Sequence, residues 1–577
     1  MERGGEPPNS VREQETFPQA VRSDCVDTVL AETGHVMIQG NCLGGATTIN
    51  GAVWTEETFD WIQETMVDMT GVDSFFDEPT IAAANTWVRD RMAPNPSSEQ
   101  AGTFLETYTT DLANAFDARP EFSFVPSNLD GQPANPDAGI FRTHSLFDFD
   151  GSNQRRSAEQ ILDRSIVDVV LNADVRRLTY QGDFLGTPFS VTEPATTPPT
   201  ARCVRLDTFE LHCVKPGGRI YLTAGALYTP LILMNSGVEA GGNRVDSPAV
   251  GQGLSDKYNA RLTANLQQGL DFGGGLEFGN VAVMQPLADR TVIYEQSAID
   301  LEDSLWDLQV LERAALPLPL RNTFLAEVVL AVGDSCNFQV VNDVNFFGLR
   351  NPLCGGQFAL DEENCDQNIF GLSIFSSPPR SVGSVSRSFL SSRPRVDISF
   401  FDTDQDFESL GIMFRTGVEV LDSLGVGQPA CDDDPSVSCP SCPNLITDGT
   451  DVLRLAHSIV SPLDSFDFES FPSRTFIPEG VVDTLSSTSD NVEAGRQLRN
   501  SVNAGQHFTG TASMGSVVDN TFQVIGLEGA YVADASVIPR TSRGNLMAVV
   551  MLMGRLAGVS AIDEMAADKQ TRGRAAE

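Results

Sequence analysis

The last seventy-five residues constrain this chain most: a polar loop at 500–515, a strand-like Ala530-Tyr-Val-Ala-Asp-Ala535, a second loop, then an apolar run beginning near Asn545. From Leu546 to Ser560 that run is broken only by a few polar residues, Arg555 among them. It falls short of the roughly 20 residues a membrane span needs and reads as a buried helix. The only histidine of the segment, His507, lies in the first of these loops, at 500–515, and loops on a rigid scaffold are where reactive side chains concentrate.

Upstream, Cys203 to Met234 reads as strands CVRLDTFELHCV and GRIYLTAG joined by Lys-Pro-Gly-Gly, followed by a helix beginning near Thr229-Pro230. The first fifty residues end in a glycine-rich turn, Gly40 to Gly51, after which WTEETFDWIQETMVDM has helical spacing. Residues 80–115 are expected to continue as helix, 119–140 as a Pro/Asn/Asp-rich loop, and Ser157–Leu162 as a short helix leading into a strand over 165–182. The glycine-rich stretch 269–279 lacks a following helix start and a lysine, so it reads as a loop and not as a phosphate cradle.

At 577 residues and 41% hydrophobic, the chain can bury a substantial core. Its 78 acidic against 38 basic residues give a net charge of −40, a field that repels phosphate backbones and anionic lipid. Nucleic-acid and membrane-surface partners are therefore not expected, nor is a membrane span. Cys203 and Cys213 flank a candidate hairpin, whereas Cys431, Cys439 and Cys442 lie in CDDDPSVSCPSC. One CxxC without a second pair of ligands does not make a zinc site, so loop disulfides or free thiols are expected and no metal.

Four separated blocks, in order, resemble those of the glucose–methanol–choline (GMC) family of FAD oxidoreductases. They are GNCLGGATTINGAVW (40–54), NADVRRL (172–178) with TAGALYTPLILMNSGV (223–238), VGQGLSD (250–256), and HFTGTASMG, YVADASVIP and GNLMA within 507–548. ERGG at 2–5 and MLMGRLAGV at 551–559 are similar to the branch of plant hydroxynitrile lyases and HOTHEAD-like proteins. The resemblance implies an α/β fold, with a Rossmann-like FAD-binding domain assembled from 1–55, 165–260 and 500–577. A mixed α+β substrate-binding domain is then expected from 56–164 and 261–499.

It also implies roles. Gly44 and Gly45 would lie against the flavin, with Ala46 where Gly or Ser is usual, and Asn50 would be a polar contact near it; an ordinary Gly-Gly turn preceding a helix is the plain alternative. Val175 would give backbone contacts to adenine, which its side chain does not distinguish from a buried strand residue. Asp534 and Ala535 would face the ribityl–phosphate region, the alternative being an ordinary turn. His507 matches the catalytic histidine, and a neutral imidazole with an ordinary pKa of ~6.5 can take the proton of a substrate hydroxyl. Asn545 matches the second active-site position and is also a favoured N-cap for the helix that follows. Leu546 stands where proline is usual.

Glu2 resembles the acid that holds the FAD ribose, and no GxGxxG occurs in the chain, so a preceding strand and glycine loop are expected to be missing. The implied activity is oxidation of a small-molecule alcohol, with FAD as cofactor and oxygen or another acceptor reoxidising it. Hydroxynitrile lysis on the same fold and a non-catalytic truncated relative are the alternatives.

Overall fold

The computed structural model describes residues 1–9, 25–96, 139–142, 144–146, 155–182, 198–265, 277–284, 325–334, 368–376, 379–388, 392–423, 485, 487–499, 502–542 and 544–576. The Cys431–Cys442 cluster and most of the 119–140 and 269–279 loops lie outside them.

The fold is α/β. The short strands Ile220–Leu222 and Ala530–Val532 pair in parallel, with Tyr221 opposite Tyr531 and their rings stacked at 4.9 Å. Ala530, Tyr531 and Val532 are all buried, as expected for a parallel strand covered on both faces. One cover is the helix Met547–Ala576, whose Val549, Leu552, Met553, Leu556 and Ala557 share a core with Ile220, Leu222, Leu233 and Val532. That spacing is a single helical stripe. Another side of the helix carries Met547 and Ala548 into a second cluster with Trp54 and Val88, while Arg555 rests over the Trp87 ring at 4.6 Å. Among the described residues no helix is long and apolar enough to cross a membrane.

A six-stranded antiparallel sheet forms the other main layer, in the order Val502–Ala504, Tyr258–Asn265, Asn368–Ser376, Leu325–Asp334, Glu277–Met284, Gly139–Arg142. Its edge matters most for the site. Tyr258 pairs with Ala504 and Ala260 with Val502, which fixes residues 255–257 beside the loop that begins at Gly505.

Several elements depart from the sequence expectations. CVRLDTFELHCV forms the hairpin expected between Cys203 and Cys213, Ala201–Leu206 with Leu211–Cys213, and the two directly opposed cysteines are disulfide-bonded, but the Lys-Pro-Gly-Gly turn does not pair it with the next strand. Ile220–Leu222 therefore leaves it to pair with residues 530–532. The expected helix over 80–115 ends at Met92, where Ala93 turns left-handed at φ 42° and Pro94 and Pro96 bar continuation. Within 165–182 only Val175–Tyr180 is strand; Ile166, Val167 and Val170 are exposed and Asn172 has φ 52°.

The helix placed near Thr229-Pro230 begins earlier, at Gly225, and runs to Asn235. Pro230 thus lies inside the helix and has no N–H for the Ala226 carbonyl one turn back. The Thr511 hydroxyl donates to that carbonyl at 2.7 Å instead.

Candidate active site

The glycine-rich turn needs its glycines. Gly44 (φ 103°) and Gly45 (φ 58°) both occupy the left-handed region and lead into a 3-10 helix, Gly45–Thr48. A buried disulfide, Cys25–Cys42, ties the turn to the start of the strand Val26–Leu30. Asn50 connects the turn to the carboxy-terminal helix: its Oδ1 accepts from Ala52 N–H at 3.0 Å and from Arg155 Nη1 at 2.9 Å, and its Nδ2 donates to Met547 Sδ at 3.0 Å. Arg155 is buried, and burial pulls its guanidinium down to about 9.

Glu2 and the NADV stretch, far apart in sequence, are neighbours. Glu2 N–H donates to Val170 O at 2.9 Å, Ala173 N–H donates to Glu2 O at 2.8 Å, and Gly4 N–H donates to the Glu2 carboxylate at 3.0 Å. Desolvation raises the Glu2 carboxyl above its usual range despite that bond. Val175 begins the adjoining strand, opposite Leu206.

Asp534 is a buried hub. Its Oδ2 accepts from Gly225 N–H at 2.8 Å and Thr229 Oγ1 at 2.6 Å, and its Oδ1 from Ser536 N–H at 2.8 Å and Ser536 Oγ at 2.5 Å. The carboxylate therefore joins the two parallel strand ends to their helices, capping the turn Ala535–Val537. Its oxygens are engaged within the chain, so any contact to a ligand from this pair falls to backbone groups. Gly225 (φ 79°) lies where a Cβ would come within 2.7 Å of Gln39 Nε2, and Gln39 donates to Ala224 O at 2.7 Å. The glycine turn and Asp534 are thereby drawn to one place.

His507 and Asn545 meet: Nε2 stands 2.9 Å from Asn545 Oδ1. An amide oxygen only accepts, so in this arrangement Nε2 carries the imidazole proton and Nδ1 the lone pair; turning the amide over presents Nδ2 to Nε2 and reverses the tautomer. Asn545 is not the N-cap expected for its helix. The helix starts at Met547, two residues on, leaving the amide free to reach His507.

The backbone on both sides is pinned. Asp256 Oδ1 accepts from His507 N–H at 2.6 Å, Thr541 Oγ1 donates to His507 O at 2.8 Å, and Gln506 bridges to the strand Val36–Gly40, accepting from Ile38 N–H at 2.6 Å and donating to Val36 O at 2.9 Å.

Burial first, and the Lys257 charge second, push the His507 imidazolium down to about 3, with the Asn545 bond opposing. The ring is neutral at any ordinary pH. Burial pushes Asp256 the other way, up to about 7. Phe375, on the antiparallel sheet, lies against the imidazole with ring centroids 5.7 Å apart.

Sequence reasoning missed Phe375, Arg155, Gln506 and Lys257. Asp256 ended a recognised block, but bonds to backbone leave no pattern in side-chain spacing. Among the described residues no group of three His, Cys, Asp or Glu side chains is placed to hold a metal ion.

Residues 379–554 match the family model described as GMC oxidoreductase. A 106-residue stretch is 34% identical to ecdysone oxidase of Bombyx mori, covering 18% of this chain and 15% of that one. A 51-residue stretch, 9% of this chain, is 51% identical to a truncated GMC-type oxidoreductase of Acanthamoeba polyphaga mimivirus described as inactive, over 63% of its length. The chain thus matches less than two thirds of either relative. (R)-mandelonitrile lyase 3 of Prunus serotina is 21% identical over 94% of this chain and 76% of that protein. In fold, pyridoxine 4-oxidase from Mesorbium loti superposes with a TM-score of 0.58 at 15% identity, covering 96% of this chain and 92% of the other.

Proposed function

With a GMC oxidoreductase domain at residues 379–554 as premise, we propose that this protein oxidises an alcohol at an FAD-dependent site in which His507 is the base and Asn545 orients the hydroxyl. The reading rests on the 2.9 Å His507–Asn545 pair, a neutral imidazole and an amide brought together by two fixed loops.

The residues fit a flavin. Gln39 Oε1, His507 Nδ1 and Asn545 Nδ2 are buried with no hydrogen-bond partner among the described residues, an arrangement that native interiors rarely leave unsatisfied. The left-handed Gly44–Gly45 turn offers close backbone approach, and Glu2, Val175 and the Asp534–Ala535 backbone complete the set that would hold FAD. When bound, FAD supplies the hydride acceptor. Oxygen or another acceptor would then reoxidise it.

The chain's own contribution is proton handling. An alcohol entering between His507 and Asn545 replaces their direct bond: with the amide turned over and the imidazole in its Nδ1–H tautomer, the alcohol O–H donates to Nε2 and its oxygen accepts from Asn545 Nδ2. Proton transfer to Nε2 then accompanies departure of the carbon-bound hydride. A ring held far below its ordinary pKa is always in the accepting form and gives up the proton readily once the product leaves. Phe375 beside the imidazole favours an apolar or aromatic carbinol over a polyol.

Hydroxynitrile lysis is the second reading, favoured by likeness to mandelonitrile lyase along 94% of the chain. The FAD-loaded protein is offered benzyl alcohol and mandelonitrile in turn under anaerobic conditions. Loss of flavin absorbance with the alcohol supports oxidation. Cyanide release from mandelonitrile with the flavin left oxidised by both compounds contradicts it.

A further inference from the structure

We propose that the dipeptide Asp256-Lys257 is a positioning element that grips the His507 loop with one side chain and the Asn545 loop with the other, and so sets the distance and tautomer of the pair. The two residues precede the strand Tyr258–Asn265, and successive side chains of an extended segment point to opposite sides. On one side, Asp256 takes the backbone N–H groups of His507 at 2.6 Å and Gln506 at 3.2 Å. On the other, Lys257 Nζ donates to Gly544 O at 2.7 Å, the residue before Asn545, while its own carbonyl accepts from Gly505 N–H at 2.7 Å. Asp256 is 2% and Lys257 0% exposed.

Burying both ends of such a dipeptide is unfavourable for folding, because each charge gives up its water. Part of the compensation is the attraction between the Asp256 and Lys257 charges themselves, and part comes from the contacts above, three of which end within two residues of His507 and one beside Asn545. Gly544 is held from two sides, since its N–H lies 3.4 Å from Glu57 Oε1. Among the described residues, the charged groups tied to the two loops here are Asp256 and Lys257 on one strand end and Glu57 at the 544 backbone. Of these, the Lys257 cation favours the neutral ring, in line with the depressed His507 pKa.

The kinetic consequence rests on the alcohol-oxidation reading; the geometric one does not. The experiment is nitrogen NMR of ¹⁵N-histidine-labelled protein, which has five histidines, with His507 assigned by loss of its signal in His507→Asn. In the unsubstituted protein His507 is expected as one fixed neutral tautomer from about pH 5 to 8. Lys257→Met should release it into averaged tautomers with a pKa shifted upward, and Lys257→Arg should retain the fixed form. With FAD and alcohol, Lys257→Met should lower kcat by about 10-fold or more and leave KM within about 3-fold, as loss of a purely geometric element requires.

A Lys257→Met protein whose His507 signal and kcat equal those of the parent overturns the proposal. If that variant does not fold, freely averaging His507 tautomers in the parent overturn it equally. No alcohol turnover in the parent, together with the NMR change in Lys257→Met, removes the oxidation reading and leaves the positioning role standing.

Discussion

The Thr511 hydroxyl donates at 2.7 Å to the Ala226 carbonyl, which lies one helical turn before Pro230 and has no N–H from that proline to accept. A buried carbonyl is thereby satisfied by the loop that carries His507, and the loop is fastened to the helix Gly225–Asn235. Thr511→Val removes the donor and leaves the carbonyl buried and unserved. It should lower stability by about 1–3 kcal/mol in urea unfolding, whereas Thr511→Ser, which keeps the hydroxyl, should stay within about 0.5 kcal/mol of the parent. Equal midpoints for all three proteins would remove this fastening from the account.

His507 and Asp256 make opposite contributions to stability with pH. The His507 pKa is depressed to about 3 in the folded state, so its contribution is present above the unfolded value of about 6.5 and is lost as pH falls from there toward 3. The Asp256 pKa is raised to about 7, so its contribution is present below the unfolded carboxylate value near 3.8 and is lost as pH rises toward 7. Between about 4.5 and 6 the two slopes cancel, because folding moves one proton from imidazole to carboxyl. His507→Asn removes one side of that balance. Its stability relative to the parent should fall with rising pH across this window by up to about 1.4 kcal/mol per unit; parallel stability curves would show that the opposition is absent.

Cys25–Cys42 closes a loop of 17 residues at the foot of the glycine turn, and Cys203–Cys213 staples a hairpin. All four thiols should escape alkylation until the protein is unfolded and reduced, as peptide mass mapping reads directly. Cys42→Ser should cost about 3 kcal/mol of stability and weaken FAD binding, since the Gly44–Gly45 turn loses its anchor. Alkylation of Cys42 in the unreduced protein would contradict the pairing.

Asn545→Ala deletes the direct partner of His507 while leaving the helix start at Met547 in place. In FAD-loaded protein, kcat for an alcohol should drop by about 10- to 1,000-fold with flavin content unchanged. An unaltered kcat would assign Asn545 to structure alone.

What was legible in the sequence was what short local patterns carry. Gly44 and Gly45 sit at left-handed positions that a turn signal demands, and the His507 and Asn545 motifs each lie on one continuous stretch, so their meeting follows once the stretches fold as expected. The helix start at Gly225 was masked by Pro230, which reads as a first-turn residue unless the compensating Thr511 hydroxyl is known. Asn545 was read as an N-cap because asparagine is favoured there, although its amide is used two residues before the helix, on His507. The apolar run at 165–171 suggested a strand but joins no strand pair among the described residues, Glu2 N–H alone reaching the Val170 carbonyl. Phe375 and Lys257 were illegible for a different reason: their roles depend on which strand edge lies beside residues 505–507, and that register is set by the Tyr258–Ala504 pairing.

The most direct test of the central claim is a single anaerobic turnover, mixing FAD-loaded protein with an aromatic primary alcohol and following loss of the oxidised flavin spectrum. The account predicts rapid bleaching in the parent and a rate about 100- to 10,000-fold lower in His507→Asn at equal flavin content. Bleaching at the same rate in both proteins, or none in the parent with any alcohol, would contradict it.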